Sequence, residues 1–158
     1  MPKTKVVMGG SATTASAEMT LANPNVDFIV LGEAEHSFPQ LVQSILKGDH
    51  AKIHSIPGVG FKNGNQTTLV HRENFIETLD SLPRPAYDLV DLSCYRVPNG
   101  SRMESYVSLF TSRGCPHRCD FCTIYISMGR RFRVHSPERV LDERNKMVRC
   151  NNGYLSVY

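Results

Sequence analysis

The sequence lacks several features that would assign it to a common class. No continuous apolar run approaches the ~20 residues that a membrane-spanning helix needs. The apolar stretch Val6–Met8 is too short for the hydrophobic region of a signal peptide. Repeats and low-complexity segments are absent, and a net charge of +3 is too small to indicate nucleic acid as a partner. We therefore expect a cytoplasmic protein with neither a membrane nor a nucleic-acid partner.

The cysteines do not form the pattern of a disulfide framework. The chain has five, an odd number, and three of them lie within positions 115–122. Such crowding in a reducing compartment is more typical of metal or cluster ligands. A length of 158 residues, with 41% hydrophobic and 21% charged residues, is typical of one globular domain or two small ones.

Apolar strands alternate with helical segments in the first fifty residues. The pattern predicts strands at Lys5–Met8 and Asp27–Leu31, and helices at Ser11–Ala22 and Phe38–Lys47 with Gly48 as the stop. The second strand is almost continuously apolar, as in strands buried on both faces of a parallel sheet. The sequence thus predicts an α/β fold, with part of a doubly wound, Rossmann-like parallel sheet.

Glycine turns follow both predicted strands. Gly9 and Gly10 follow the first strand, and Gly32 and Glu33 follow the second. Ligands of open α/β sheets bind at the carboxyl ends of the strands, which makes these four residues candidates for binding a cofactor. The alternative is that they only form tight turns.

The middle of the chain predicts a hairpin and then a linker. Asn63-Gly64 is a strong hairpin signal between the alternating residues 59–61 and 67–69. Pro83 and Pro85 exclude a helix and favour an extended segment, and the stretch to about residue 105 is expected to be irregular. We predict an α/β domain at 1–77, a linker at 78–104 and a second domain at 105–158.

The second domain is predicted to follow a strand, loop, helix and strand order. A strand at Ser105–Phe110 leads into the cysteine loop, and Ser136 and Pro137 mark the N-cap and first residue of a helix. Gly153–Tyr158 alternates as a final strand would.

Cys115, Cys119 and Cys122 form a C-x3-C-x2-C motif. A [4Fe–4S] cluster is usually held by four cysteine thiolates. A loop that supplies three leaves one iron open to another ligand, as an open position does in catalytic zinc sites. The motif therefore favours a reactive cluster over a fully ligated one.

The motif and its surroundings resemble the cluster-binding loop of the radical S-adenosylmethionine superfamily. The resemblance includes Arg113–Pro116, the aromatic Phe121 before the third cysteine, and the downstream run Arg133–Glu138. The N-terminal part is similar to the second half of the cobalamin-binding domain often fused ahead of such enzymes. That similarity is carried by residues 6–10, 27–35 and 82–88.

The resemblance implies a set of cofactors and roles. The three cysteines would ligate a [4Fe–4S] cluster whose fourth iron binds S-adenosylmethionine, and reductive cleavage would release a 5′-deoxyadenosyl radical. Phe121 would stack beside the adenine, or else form a core aromatic under the loop. The resemblance also implies a cobalamin site, which Gly9, Gly10, Gly32 and Glu33 would line. The partners implied are these small molecules and an electron donor such as a flavodoxin or ferredoxin.

The sequence departs from the family in two respects. It contains no Asp-x-His-x-x-Gly motif, which in some cobalamin domains supplies the lower ligand to cobalt. About fifty residues follow the linker, whereas a closed α/β barrel needs ~200 or more. We therefore expect only the first part of a (β/α) barrel, and a chain that is a piece of a longer enzyme.

Three other interpretations are compatible with the motif. Cys94 or Cys150 could close the cube and give an electron-transfer module. His117 could complete a structural zinc site with the three cysteines. The chain could also be an inactive or binding-only fragment.

Overall fold

The computed structural model describes residues 4–64, 66–72, 75–99, 102–105 and 108–150. By contacts the chain forms two compact units, the first ending at Ile76 and including Gly114–Phe132, and the second comprising Glu77–Arg113 and the chain from Arg133. A grouping by contacts does not test domain boundaries, so the domains 1–77, 78–104 and 105–158 stay predictions.

The first unit contains a four-stranded sheet of order β1-β2-β3-β4. Its strands are β1 (Val7–Gly9), β2 (Phe28–Val30), β3 (Val59–Asn63) and β4 (Gln66–Leu69). β1 and β2 pair in parallel, and β2–β3 and β3–β4 pair antiparallel. The predicted mixing of strands and helices, the parallel pair and the hairpin are confirmed. The doubly wound arrangement and the partial barrel stay predictions.

Strand β2 is buried on both faces, as its apolar sequence predicted. Ile29, fully buried, packs with Leu21 and Val26 on one face. Val30, 2% exposed, belongs to a second cluster on the other face, together with Leu41. Side chains of successive strand residues point to opposite faces, so one short strand contributes to both cores.

The described residues of the first unit include five α-helices. They are α1 (Ser11–Ala15), α2 (Ala17–Ala22), α3 (Ser37–Lys47), α4 (His50–Ile53) and α5 (Ile124–Met128). The single helix predicted at Ser11–Ala22 is wrong, because the backbone leaves the helical conformation at Ser16 (φ −132°, ψ 50°). The hydroxyls of Thr14, Ser16 and Thr20 donate to carbonyls four residues earlier, and such bonds bend helices. The predicted stop of α3 at Gly48 is confirmed by its left-handed conformation.

Among the described residues of the second unit are two pairs of strands and one long helix. Its elements are β5 (Arg96–Asn99), β6 (Arg102–Ser105), β7 (Ser112–Arg113), β8 (Arg133–Val134) and α6 (Pro137–Cys150). Antiparallel pairs join β5 to β6 and β7 to β8. Within the parts of the chain given above, no helix combines the length and apolarity needed to cross a membrane.

Two expectations for this unit are corrected. The stretch before residue 105 is not irregular throughout, because β5 and β6 form a hairpin over residues 96–105. The part before it contains short 3-10 turns at Leu79–Ser81, Tyr87–Leu89 and Leu92–Cys94. The strand predicted at Ser105–Phe110 is not formed at 108–110, and residues 106–107 lie outside the described residues. The strand predicted at Gly153–Tyr158 also lies outside them.

Helix α6 begins as the sequence predicted. The Ser136 hydroxyl accepts a hydrogen bond from the Arg139 amide at 3.2 Å, which makes it the N-cap. The Asp80 carboxylate accepts from the Ser136 amide at 3.2 Å and lies 2.9 Å from Nδ1 of His135. Hydrogen bonds from Ser136 and then from His135 lower the pKa of Asp80 to about 2. A carboxylate at a helix N-terminus is also favoured by the helix dipole.

Substitution of a buried leucine in α3 should measure the contribution of the core. Leu41 is fully buried and Leu46 is 82% exposed on the same helix. We expect Leu41→Ala to lower the free energy of unfolding by about 2–5 kcal/mol and the control Leu46→Ala to change it by less than about 0.5 kcal/mol. Urea denaturation followed by circular dichroism would measure both, and equal losses would contradict the assigned core.

Replacing Asp80 should change the dependence of stability on pH. Since its pKa lies below the ordinary 3.8, the ionised group stabilises the fold above pH ~4, and this contribution is lost as the pH falls towards about 2. Asp80→Asn should therefore unfold at a lower temperature than the wild type at pH 6. The difference should shrink towards zero near pH 2. A difference that stays constant over this range in thermal melts would contradict the carboxylate's role.

Candidate functional site

The two glycine turns lie at the same edge of the sheet, because β1 and β2 run parallel and both turns follow their carboxyl ends. The Thr14 hydroxyl connects them. It donates to the Gly10 carbonyl at 2.9 Å and accepts from the Gly32 amide at 2.9 Å. Gly10 and Gly32 have φ values of +91° and +63°. Residues with a Cβ rarely adopt this backbone conformation.

A cavity of about 330 Å³ opens beside the second turn. It is lined by Thr14, Leu31, Gly32, Leu69, Val70, His71, Arg72, Phe75 and Ile126. Its walls are mainly apolar with a few polar groups, and its size is at the small end of the range for small-molecule sites. Of the four turn residues predicted to bind a cofactor, only Gly32 lines this cavity.

Glu33 holds one wall of the cavity in place. The residue is 5% exposed, and its carboxylate accepts a hydrogen bond from the Ile76 amide at 2.8 Å and lies 3.5 Å from the Arg72 guanidinium. Arg72 in turn donates to the Leu31 carbonyl at 3.1 Å, and its guanidinium lies over the Phe75 ring at 5.2 Å. These bonds fix the position of Arg72 and Phe75 relative to the end of β2.

The three cysteines of the motif lie on one loop as free thiols. Cys115 and Cys122 are half-buried and Cys119 is exposed. The Cys115 amide donates to the Gly129 carbonyl at 3.2 Å, and the Cys122 amide donates to the Cys119 carbonyl at 3.1 Å. Soft thiolates are the donors that iron–sulfur clusters require, so the chemistry of the donor set fits such a cluster.

The thiols do not converge in this structure. Among the described residues, no three side chains of His, Cys, Asp or Glu are grouped so that they could hold a metal ion. The assignment of Cys115, Cys119 and Cys122 as ligands therefore stays a prediction that depends on the motif and on the donor chemistry.

Two glycines allow the cysteine loop to pack closely. Gly114 has φ +81°, and a Cβ added there would collide with the Arg131 carbonyl oxygen. Gly129 has φ +75°, and a Cβ there would lie 2.8 Å from the Phe75 ring, which lines the cavity. Neither position can accept a larger residue without a shift of its neighbours.

Helix α5 connects the cysteine loop to the cavity. It begins at Ile124, two residues after Cys122, and Ile126 lines the cavity. The Ser127 hydroxyl lies 3.5 Å from the Ser11 hydroxyl at the start of α1. The cysteine loop and the strand edge are thus parts of one compact unit.

The remaining candidate side chains that the structure describes are exposed. Phe121 is 90% exposed, so the alternative of a core aromatic under the loop is wrong, while its stacking on adenine stays a prediction. Cys94 is exposed and its thiol lies 3.6 Å from Asp91 Oδ2. His117 is also exposed. The side chain of Cys150 lies outside the described residues.

The sequence did not point to the residues that line most of the cavity. Thr14 lies four residues after Gly10, one helical turn on, and this spacing could have indicated it. Arg72, Phe75 and Ile126 carry no comparable signal, because only the tertiary fold brings them to the edge of the sheet.

No protein-family model matches the chain. Among curated proteins, an uncharacterized methyltransferase of Pyrococcus horikoshii is 37% identical over 142 residues, which are 87% of this chain and 29% of the relative. The anaerobic magnesium-protoporphyrin IX monomethyl ester cyclase of Synechocystis is 31% identical over 77% of this chain and 23% of its own length. The cobalamin-dependent radical SAM methyltransferase TokK of Streptomyces tokunonensis is 27% identical over 77% of this chain and 18% of its own.

Solved structures share the fold. The radical S-adenosylmethionine methyltransferase TsrM of Kitasatospora setae, with cobalamin and a [4Fe–4S] cluster bound, has a TM-score of 0.66 at 19% identity over 97% of this chain and 30% of its own. The cobalamin-dependent S-adenosylmethionine radical enzyme OxsB, with aqua-cobalamin and S-adenosylmethionine bound, has a TM-score of 0.67 at 20% identity, covering 96% and 20%. The chain spans 29% and 21% of the lengths of two curated relatives.

Gly114→Ala should destabilise the first unit. The substitution combines a strained positive φ with a collision against backbone, and we expect a loss of more than about 2 kcal/mol in the free energy of unfolding. Gly48→Ala is the control, because Gly48 has φ +67° with open space around it, and should lose only about 1 kcal/mol. Denaturant titrations would measure both, and equal losses would show that the Gly114 contact is loose.

Proposed function

We propose that this chain, a homologue of the methyltransferases and cyclases of the cobalamin-dependent radical S-adenosylmethionine family, binds a [4Fe–4S] cluster at Cys115, Cys119 and Cys122. The proposal extends to S-adenosylmethionine at the iron that these cysteines leave open. When bound, such a cluster supplies the electron that cleaves S-adenosylmethionine to methionine and a 5′-deoxyadenosyl radical. The homologues are enzymes, and the activity of this chain is part of the proposal.

The roles of the chain's own residues follow from their positions. The three thiolates hold the cluster, and the backbone bonds from Cys115 to Gly129 and from Cys122 to Cys119 set the path of the loop. Phe121, 90% exposed beside the third cysteine, offers a ring for stacking on adenine, worth ~1–3 kcal/mol in nucleic-acid complexes. The electron donor would be a small redox protein such as a flavodoxin or ferredoxin.

The observation that carries the proposal is the connection between the cysteine loop and the strand edge. The loop that supplies three free thiols continues directly into α5, and Ile126 of that helix lines the cavity beside Gly32. A cluster on this loop would therefore lie in the same compact unit as the edge where α/β sheets bind cofactors.

The strand edge supports cobalamin as the second cofactor. Gly9, Gly10 and Gly32 present backbone without side chains there, and the adjoining cavity of about 330 Å³ is mainly apolar. Glu33 acts indirectly, because its carboxylate fixes the wall of the cavity through Arg72 and Ile76. The proposal includes no protein ligand to cobalt, since the chain has no Asp-x-His-x-x-Gly motif.

Anaerobic reconstitution with iron and sulfide would test the cluster. We expect about four irons per chain in the wild type and a large loss of iron in Cys119→Ala. Cys94→Ala is the matched control, because Cys94 is a free exposed cysteine outside the motif, and should keep its iron. Full iron content in Cys119→Ala would contradict the ligand assignment.

The spectrum of the reduced cluster would test the open iron. Addition of S-adenosylmethionine should change its electron paramagnetic resonance signal, because the substrate becomes a ligand. An unchanged signal, with iron lost in Cys94→Ala, would instead favour a closed electron-transfer cluster. Zinc in protein purified without added metal would favour the structural site, and a chain that takes up neither metal would be a binding-only fragment.

A further inference from the structure

Arg130 contacts the cysteine loop at two points. Its Nη1 donates to the carbonyl oxygen of His117 at 3.0 Å, and its guanidinium lies over the Tyr125 ring at 4.1 Å from the centroid. His117 lies between the first and second cysteines, and Tyr125 is in α5, just after the third. One side chain therefore connects the middle of the loop to the helix that ends it.

The contact reinforces a neighbouring backbone bond. The residue before Arg130, Gly129, accepts the Cys115 amide at 3.2 Å. The start and middle of the loop are thus attached to the same dipeptide, Gly129–Arg130. Together with the bond from the Cys122 amide to the Cys119 carbonyl, these hydrogen bonds hold the path of the loop between its cysteines.

We propose that Arg130 is a positioning residue that ties the backbone of the cysteine loop at His117 to helix α5 at Tyr125. We call these two contacts the Arg130 clamp. The clamp reduces the part of the loop that must still become ordered when the three thiols converge on a cluster, and so slows the loss of iron. This inference is based on the proposed function and adds to it a residue outside the motif. A guanidinium suits the role because it donates a hydrogen bond in its plane while an aromatic ring covers its face. Lysine has no planar group for the same two contacts.

Arg118 provides a matched control within the loop. It is also an exposed arginine and lies between Cys115 and Cys119. Its side chain forms no hydrogen bond or ion pair with the described residues. Arg118→Ala and Arg130→Ala each remove one positive charge close to the thiolates. A difference between the two variants therefore reports the clamp and not the charge.

Hydrogen exchange in the metal-free protein is the first test. Mass spectrometry of the peptide covering residues 114–122 should show exchange about tenfold faster in Arg130→Ala than in wild type or Arg118→Ala, because a hydrogen bond and a cation–π contact are both lost. Peptides of β2 and α3 should exchange at wild-type rates. Equal exchange in the two arginine variants would overturn the proposal.

Iron retention is the second test. After reconstitution, release of iron to a chelator should be severalfold faster from Arg130→Ala than from Arg118→Ala. Tyr125→Leu should resemble Arg130→Ala, while Tyr125→Phe, which keeps the ring, should retain iron as the wild type does. Failure of Tyr125→Phe to do so would overturn the stacking part of the clamp.

The two tests separate this inference from the proposed function. If the wild type takes up no iron, the proposed function fails, and the exchange experiment still decides whether the clamp exists. If the wild type takes up iron and the two arginine variants release it equally fast, the clamp fails and the cluster assignment stands.

Discussion

The structure of the candidate site depends on close backbone approach at three glycines. Gly32, Gly114 and Gly129 all have positive φ, and a Cβ at each would meet a neighbouring group at or below ordinary contact distance. The neighbours are the Arg72 guanidinium, the Arg131 carbonyl and the Phe75 ring. Protein interiors are close-packed, so a Cβ at any of these positions would need space that its neighbours occupy. Because glycine has no Cβ, the cysteine loop and α5 can pack against the edge of the sheet.

This packing explains why one short sheet can position several groups. Parallel pairing of β1 and β2 places both glycine turns at one edge, and the Thr14 hydroxyl bonds to both. β3 and β4 form an antiparallel hairpin, which brings the end of β4 back to the same edge. Leu69 and Arg72 line the cavity there. Burial of β2 on both faces then fixes this edge relative to the core.

The sequence predicted the features that depend on local pattern. The apolar run of β2, the turn at Asn63-Gly64, the left-handed stop at Gly48 and the N-cap Ser136 all have local causes, and all are confirmed. The break in the helix at Ser16 occurs where hydroxyls donate to carbonyls that also accept backbone amides. Such bonds bend helices, and the periodicity of apolar residues does not register them.

The β5–β6 hairpin also has a local signal in the sequence. In the sequence Asn99, the last residue of β5, is followed by Gly100, which gives the same dipeptide that marked the first hairpin correctly. Pro83 and Pro85 favoured a prediction of irregular structure as far as about residue 105. Their effect on backbone conformation is confined to adjacent residues. The packing of Arg72 and Phe75 at the cavity had no such signal, because residues forty positions apart meet there.

Glu33 illustrates how a buried charge can serve a site without facing it. A carboxylate that is 5% exposed needs partners inside the protein, since burial without them is costly. Glu33 has them in the Ile76 amide and the Arg72 guanidinium. Its charge is therefore used to join the turn after β2 to the segment after β4. Glu33 was a candidate because it lies in the turn at the carboxyl end of a strand, and its binding of a cofactor stays a prediction. In the structure its contacts help to determine the shape of the cavity, whose lining is mainly apolar and includes Gly32.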